Sequence, residues 1–244
     1  MQMAHLSVQQ PIVLLGGFLI TAEAYEPMRL TLESLSGQPV HLVNVGRPEW
    51  LLTVFPFAWA RILDRVDTAV KRLALNSPTG KVSLVGHSSG GIMLRLFLDD
   101  QPFQGRRYGG RSLANLLVMM GSPHTAIRAT ALRQMVDRKL PGAFFSDEVR
   151  YVSVAGDLGL SPAPGGAAAT STATATARRI APTAYRNSTG NPHDRGDGLV
   201  PIRSALLAGS QPVVLKGVAH GGAFGSPWYG TPSVVKRWWR ELTG

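Results

Sequence analysis

Six short apolar runs, at 11–16, 39–45, 81–86, 114–120, 149–155 and 212–217, alternate with helical patterns from one end of this chain to the other, and that alternation restricts its fold more than any other feature. Such an order reads as parallel strands joined by crossover helices. The spacers "AYEPMRLTLESL" (24–35) and "WARILDRVDTAVKRLA" (59–74) carry apolar residues at three-and-four spacing, and "SVVKRWWREL" predicts a closing helix. The expected class is α/β, with a mostly parallel central sheet and helices on both faces, in a single domain spanning 1–244. A chain of 244 residues is long enough for such a core, and 44% hydrophobic against 16% charged residues is a globular rather than a disordered composition.

One stretch breaks the rhythm. Residues 161–196, "SPAPGGAAATSTATATARRIAPTAYRNSTGNPHDRG", are rich in Ala, Thr, Gly and Pro without a convincing period, and predict a flexible surface loop. The strand pattern resumes after it, so it does not divide two domains. The N-terminal "MQMAHLSVQQ" has no Lys or Arg before the apolar run "PIVLLGGFLI", unlike a secretory signal, and that run is about half the length that spans a bilayer. A cytoplasmic location is the resulting expectation. With no cysteine, disulfide frameworks and thiolate metal sites are excluded. The formal charge of +10 is scattered over "GRRYGGR", "ARR" and "VKRWWR". No nucleic-acid motif accompanies it, so nucleic acid is not expected as a partner; a transient contact with an anionic membrane or lipid surface is left open.

Chemistry concentrates at "KVSLVGHSSGGIMLRLFL" (81–98), where a buried strand passes into a helix through Gly86-His87-Ser88-Ser89-Gly90. A G-x-S-x-G turn in that setting holds its serine in strained backbone angles, with glycines admitting close approach of strand and helix, and exposes Ser88 Oγ at the carboxyl edge of the sheet. A serine hydroxyl needs a base to become a nucleophile, and the base needs an acid to orient it. Of six histidines, His220 follows the last predicted strand on a glycine-rich loop and is the best base; His124 is the alternative. His5 lies at the terminus, His41 inside a strand, His87 beside the nucleophile but pointing away from it, and His193 in the irregular segment. Two acids respect the order nucleophile, acid, histidine: Asp157, immediately after the strand at 149–155, and Asp197, in the glycine-flanked turn "RGDGLVPI".

Four blocks, "PIVLLGGF", "VSLVGHSSGG", "LLVMMGSPHT" with "GDGLVPI", and "GVAH", occur in an order that resembles the α/β-hydrolase superfamily, and within it the lipase and esterase branch. They span residues 11–220. The resemblance implies that the "D-G-L-V" turn supplies the carboxylate, favouring Asp197 over Asp157, and that the histidine of "GSPHT", His124, is structural. It further implies an oxyanion hole made by the backbone N–H groups of Ser89 and Phe18, although this chain has Gly16-Gly17 where many lipases have His-Gly. The segment "QMVDRKLPGAFF" lies where lipases of this branch often carry a lid. Two aromatic sets, Trp50 with Leu51, Leu52, Phe55 and Phe57, and Phe224 with Trp228 and Tyr229, are candidates for an acyl pocket or for plain core. The implied activity is hydrolysis of a lipid-like or other apolar carboxylic ester through an acyl-enzyme on Ser88, His220 and Asp197, with no metal or organic cofactor and a small-molecule or lipid ester as partner. An acyltransferase or thioesterase on the same residues, and a ligand-binding scaffold without turnover, are the alternatives.

Overall fold

A computed structural model describes residues 10–160 and 173–243. All six predicted strands form: β1 (Ile12–Leu15), β2 (Val40–Val43), β3 (Val82–His87), β4 (Ala114–Met120), β5 (Arg150–Asp157) and β6 (Gln211–Lys216). They make one sheet in the order β2-β1-β3-β4-β5-β6, and every pairing is parallel. The connections contain α1 (Ala22–Ser36), α2 (Arg47–Leu51), α3 (Pro56–Leu75), α4 (Ser89–Leu98), α5 (Ala131–Lys139), α6 (Ala175–Thr189) and α7 (Ile202–Ala205), and α8 (Pro232–Thr243) follows β6.

The two-residue period of the strands divides the core into two layers. Ile12, Leu14, Val85, Val118 and Val154 face Tyr25, Met28 and Leu32 of α1 and Val234, Val235 and Trp238 of α8. Val13, Leu15, Leu84, Leu117 and Met119 face the other way, onto Ile62, Leu63 and Val66 of α3, Ile92 and Leu96 of α4, and Val136 of α5. Each side chain taken fully out of water in this way stabilises the fold by about 1.5–3 kcal/mol. α4 is buried on every side from Gly90 to Leu98, including Arg95, whose guanidinium bonds Asp137 Oδ1 at 3.0 Å. Only the edge strand β6 shows the half-exposed alternation of a sheet margin, with Pro212 and Val214 outward.

From β1 the chain runs to β2 on one side, then returns to β3 and builds outward on the other. The connections leaving the carboxyl ends of β1 and β3 therefore run to opposite sides, and such a switch point is where open parallel sheets hold ligands. Gly16–Ile20 and Ser88 follow the two strands at that point.

The expectation of a flexible loop over 161–196 is corrected. Residues 161–172 lie outside the described residues, but 175–189 form α6. Thr174 caps it, its Oγ1 accepting from Ala177 N–H at 3.1 Å, and Gly190 ends it in the left-handed conformation with φ 85°. Its buried stripe is Ala177, Ala181 and Tyr185, spaced by four; two alanines give almost no hydrophobic signal, and Pro182 inside the helix masks the period further. No helix among the described residues is long and apolar enough to cross a membrane.

Candidate active site

Ser88 stands between the last residue of β3 and the first of α4 with φ 53° and ψ −122°, a conformation that costs a non-glycine residue energy and persists only where its surroundings enforce it. The enforcement is close backbone packing. A Cβ on Gly86 would lie 2.5 Å from Gly91 Cα, and one on Gly90 would lie 2.4 Å from the carbonyl oxygen of Gly16, so both positions must be glycine for β3, α4 and the β1 loop to meet. The Ser88 N–H donates to Met120 O at 2.8 Å, tying the turn to β4.

His220 arrives on the loop after β6, where its N–H donates to Asp197 O at 2.8 Å. Its Nε2 lies 3.0 Å from Ser88 Oγ and its Nδ1 lies 2.9 Å from Asp197 Oδ2. A carboxylate only accepts, so Nδ1–H donates to Asp197, which leaves Nε2 free to accept from the serine hydroxyl. Asp197 is fully buried, but its oxygens are well provided: Oδ1 accepts from Leu199 N–H at 3.0 Å and Val200 N–H at 2.7 Å, and Oδ2 also accepts from Tyr229 Oη at 3.0 Å. The Tyr229 oxygen in turn accepts Gly156 N–H at 2.5 Å. Burial, then the adjacent Asp197 charge, hold the Tyr229 phenol well above its ordinary pKa, so it remains a donor. Tyr185 of α6 accepts Gly198 N–H at 2.8 Å and fixes the same turn from the other side.

Behind the serine a second chain of hydrogen bonds runs from Gly17 N–H to Tyr25 Oη (2.7 Å) and from Tyr25 Oη–H to His87 Nδ1 (2.7 Å). Tyr25 Oη accepts from Gly17 N–H, and the one acceptor for its own proton among the described residues is His87 Nδ1, so the ring carries its proton on Nε2. Burial, and next the neighbouring His220, push the His87 pKa well below the ordinary histidine value. With ring centroids 4.8 Å apart, a neutral His87 places no charge against His220.

Ser89 and Phe18, the residues expected to supply oxyanion donors, line one cavity with Ser88. Ser89 is the first residue of α4, so its N–H has no partner within the helix. In the β1 loop the Gly17 N–H is committed to Tyr25, whereas the Phe18 N–H has no protein acceptor among the described residues. The loop presses directly on Ser88: a Cβ on Gly17 would stand 2.8 Å from Ser88 Cβ.

The structure brings Ser88, His220 and Asp197 together and does not bring in the alternatives. Asp157 is the last residue of β5 rather than the residue after it, and its carboxylate pairs with Arg195, bonded to Nε at 2.9 Å and also to Nη2. His124 is buried against Arg95, 3.2 Å from Nη1. His193 is exposed beside Asn191, and His5 lies outside the described residues. Among the described residues no three His, Asp or Glu side chains converge as metal ligands.

A cavity of about 400 Å³ opens at Ser88. Phe18, Trp50, Val54, Trp59, Ile92 and Met93 form its apolar wall, while Arg128, Thr130, Arg133 and, from α6, Asn187 and Ser188 form a polar one. Of the two aromatic sets, the first supplies Trp50 to the cavity, whereas Leu51, Leu52, Phe55 and Phe57 are exposed. The second packs behind the triad: Tyr229 holds Asp197, Trp228 lies against Tyr25 and His87, and Phe224 sets its edge toward His220 at 5.8 Å. The segment at 134–145 begins as the end of α5, and Arg95 anchors it through Asp137 and the Leu140 carbonyl. Nothing local in the sequence marks Tyr25, Tyr185 or Arg133: each bonds a residue in another segment, Gly17 and His87, Gly198, and Pro123 respectively.

No protein-family model matches the sequence, and no curated protein matches it. Solved structures do. A lipase of Bacillus licheniformis, BlEst2 in its mature form, superposes with a TM-score of 0.55 at 15% identity over 97% of this chain and 93% of that one. The product of lin2722 from Listeria innocua superposes with a TM-score of 0.55 at 16% identity over 95% and 92%. At such identities the likeness shows the fold: the chain has the α/β-hydrolase fold.

Proposed function

We propose that the protein is a serine carboxylic-ester hydrolase, and the observation that carries the reading is the continuous hydrogen-bond line that starts at Ser88 Oγ, on the wall of a cavity, and runs through His220 to Asp197. As Ser88 Oγ bonds to the ester carbonyl carbon, its proton passes to His220 Nε2, and the carbonyl oxygen becomes an oxyanion facing the N–H groups of Ser89 and Phe18. Each such donor is worth about 3–4 kcal/mol in the transition state. His220 then returns the proton to the departing alkoxide as the carbon–oxygen bond breaks, leaving an acyl-Ser88. Water repeats the sequence: its proton goes to Nε2, its oxygen to the carbonyl carbon, and the proton returns to Ser88 Oγ as the acid leaves. Asp197 keeps the imidazole in the required tautomer throughout and stabilises the transient imidazolium. The apolar wall of the cavity suits an ester with an apolar body.

A panel of p-nitrophenyl esters of increasing acyl length tests the reading. Ser88→Ala should abolish turnover, and Asp197→Asn should lower kcat by about 10⁴-fold, the loss expected when the histidine tautomer is wrong. Asp157→Asn should leave kcat within a few-fold. Turnover that survives in Ser88→Ala, or a larger loss in Asp157→Asn than in Asp197→Asn, would remove the mechanism or its acid.

A further inference from the structure

The cavity beside Ser88 is lined by two cations, Arg128 and Arg133, and by no carboxylate. Neither arginine forms an ion pair among the described residues, and the undescribed stretches 1–9 and 161–172 contain no Asp or Glu that could supply one. The nearest acid along α5, Asp137, is turned to Arg95 at 3.0 Å. Among the described residues, the Arg133 side chain is held by one bond, Nη2 to Pro123 O at 2.8 Å, and its buried Nε has no partner. Arg128 is fixed by its backbone instead, its N–H donating to Asn187 O at 2.9 Å at the end of α6. Burial pushes the Arg133 pKa down, and the Asp137 carboxylate, already bonded to Arg95, offsets that only in part. A guanidinium taken from water with unused donors is costly unless an anion meets it, and its planar fork suits carboxylate and phosphate oxygens.

We infer that Arg133, with Arg128 at the mouth, is a recognition site for an anionic group carried by the substrate, a carboxylate or a phosphate, so that the ester cleaved at Ser88 is an amphiphile with an apolar body and a charged end. The inference rests on the ester-hydrolase reading and adds the substrate class to it. The apolar side chains of Trp50, Trp59, Ile92 and Met93 take the body, and the arginine wall takes the anion. Arg133 thereby sets specificity without touching the reacting atoms.

The test compares kcat/KM for mono-p-nitrophenyl esters of α,ω-dicarboxylic acids, from glutarate to sebacate, with the same esters capped as neutral methyl esters. A third series ends in a phosphate monoester and shows which anion is preferred. The parent protein should favour an anionic ester over its neutral counterpart by about tenfold or more, ~1.4 kcal/mol, at one chain length, through KM, and less so at high salt. That ratio should collapse toward one in Arg133→Gln, fall in Arg128→Gln, and survive in part in Arg133→Lys. Equal or better hydrolysis of the neutral ester at every length, or an unchanged ratio in both glutamine variants, overturns the anion site while leaving the hydrolase intact. Failure of the parent to turn over any ester in the three series would instead sink the hydrolase reading. Should Arg133→Gln not fold, the parent's ratio and the exposed Arg128→Gln still decide.

Discussion

Tyr25→Phe removes one oxygen from the layer behind Ser88 and nothing else. The ring keeps its contacts with His87 and Trp228, whose centroids lie 5.8 and 5.6 Å away. What is lost is the acceptor for Gly17 N–H and the donor to His87 Nδ1, both at 2.7 Å and both buried. A buried polar group left unpaired costs about 1–3 kcal/mol, so two of them should destabilise the fold by ~2–4 kcal/mol, allowing for some relaxation. For a chain of this size that is about 4–16 °C in melting temperature. The same change frees the loop that presents the Phe18 N–H. Complete loss of an oxyanion donor costs about 10²–10³ in kcat, so a loosened loop should cost at least ~10-fold, with KM little altered. Thermal unfolding followed by circular dichroism, together with steady-state kinetics on a short p-nitrophenyl ester, measures both. A variant that melts lower yet keeps its kcat would refute the coupling between Tyr25 and the oxyanion loop; one unchanged in both would refute the hydrogen-bond chain itself.

Three other outcomes are expected. Gly17→Ala places a Cβ 2.8 Å from Ser88 Cβ and 3.0 Å from His87 Nδ1, and since a misplacement of about 1 Å can cost ~10²-fold, kcat should fall by roughly that factor in a protein that remains folded by circular dichroism. Tyr229→Phe leaves Gly156 N–H without its acceptor and takes one of four donors from the Asp197 carboxylate; kcat should drop several-fold and stability by about 1–3 kcal/mol in urea titration, whereas equal activity would show that the other three donors suffice. Acid should unfold the chain through His87 and His124, both held neutral, with pKa values well below the ordinary one, by burial first and by their neighbours His220 and Arg95 second. The unfolded chain takes up these protons near pH 6.5 and the folded one does not, so the stability is present above that pH and declines below it by up to about 1.4 kcal/mol per pH unit for each histidine. Urea midpoints between pH 7 and 5 that stay flat would contradict both assignments.

The parts of this protein that announce themselves in sequence are those whose causes are local. Six apolar runs gave six strands because a strand buried between two helical layers needs Val, Leu, Ile and Met on both faces, as in "LLVMM" of β4. Gly86, Gly90 and Ser88 were legible for a similar reason, since a turn this tight admits few residue types. α6 was not, because a helix that buries alanine against a loop has an interface set by its neighbours' shape rather than by its own hydrophobicity. The choice between Asp197 and Asp157 was beyond local reading too. Asp157 ends β5 and Asp197 lies in the turn after α6, both precede His220, and the arrival of Arg195 at Asp157 and of His220 and Tyr229 at Asp197 separates their places in the site.

That separation bears on how the site is held. Ser88, His220 and Asp197 come from the ends of β3, β6 and the β5–β6 connection, so their alignment depends on sheet register, and an error of one residue in any pairing would turn a side chain to the opposite face. The three tyrosines act against this sensitivity. Tyr25 reaches from α1 to the β1 loop and β3, Tyr229 from the α8 approach to β5 and Asp197, and Tyr185 from α6 to Gly198, each spanning elements that the sheet alone does not fasten together. A phenol suits the task because its ring packs in the core while its single oxygen both accepts from a backbone N–H and donates onward. On the proposed mechanism, stability and catalysis therefore draw on the same buried oxygens at Tyr25 and Tyr229. Substitution there should depress both together, whereas substitution of Arg133 on the cavity wall should shift selectivity among esters.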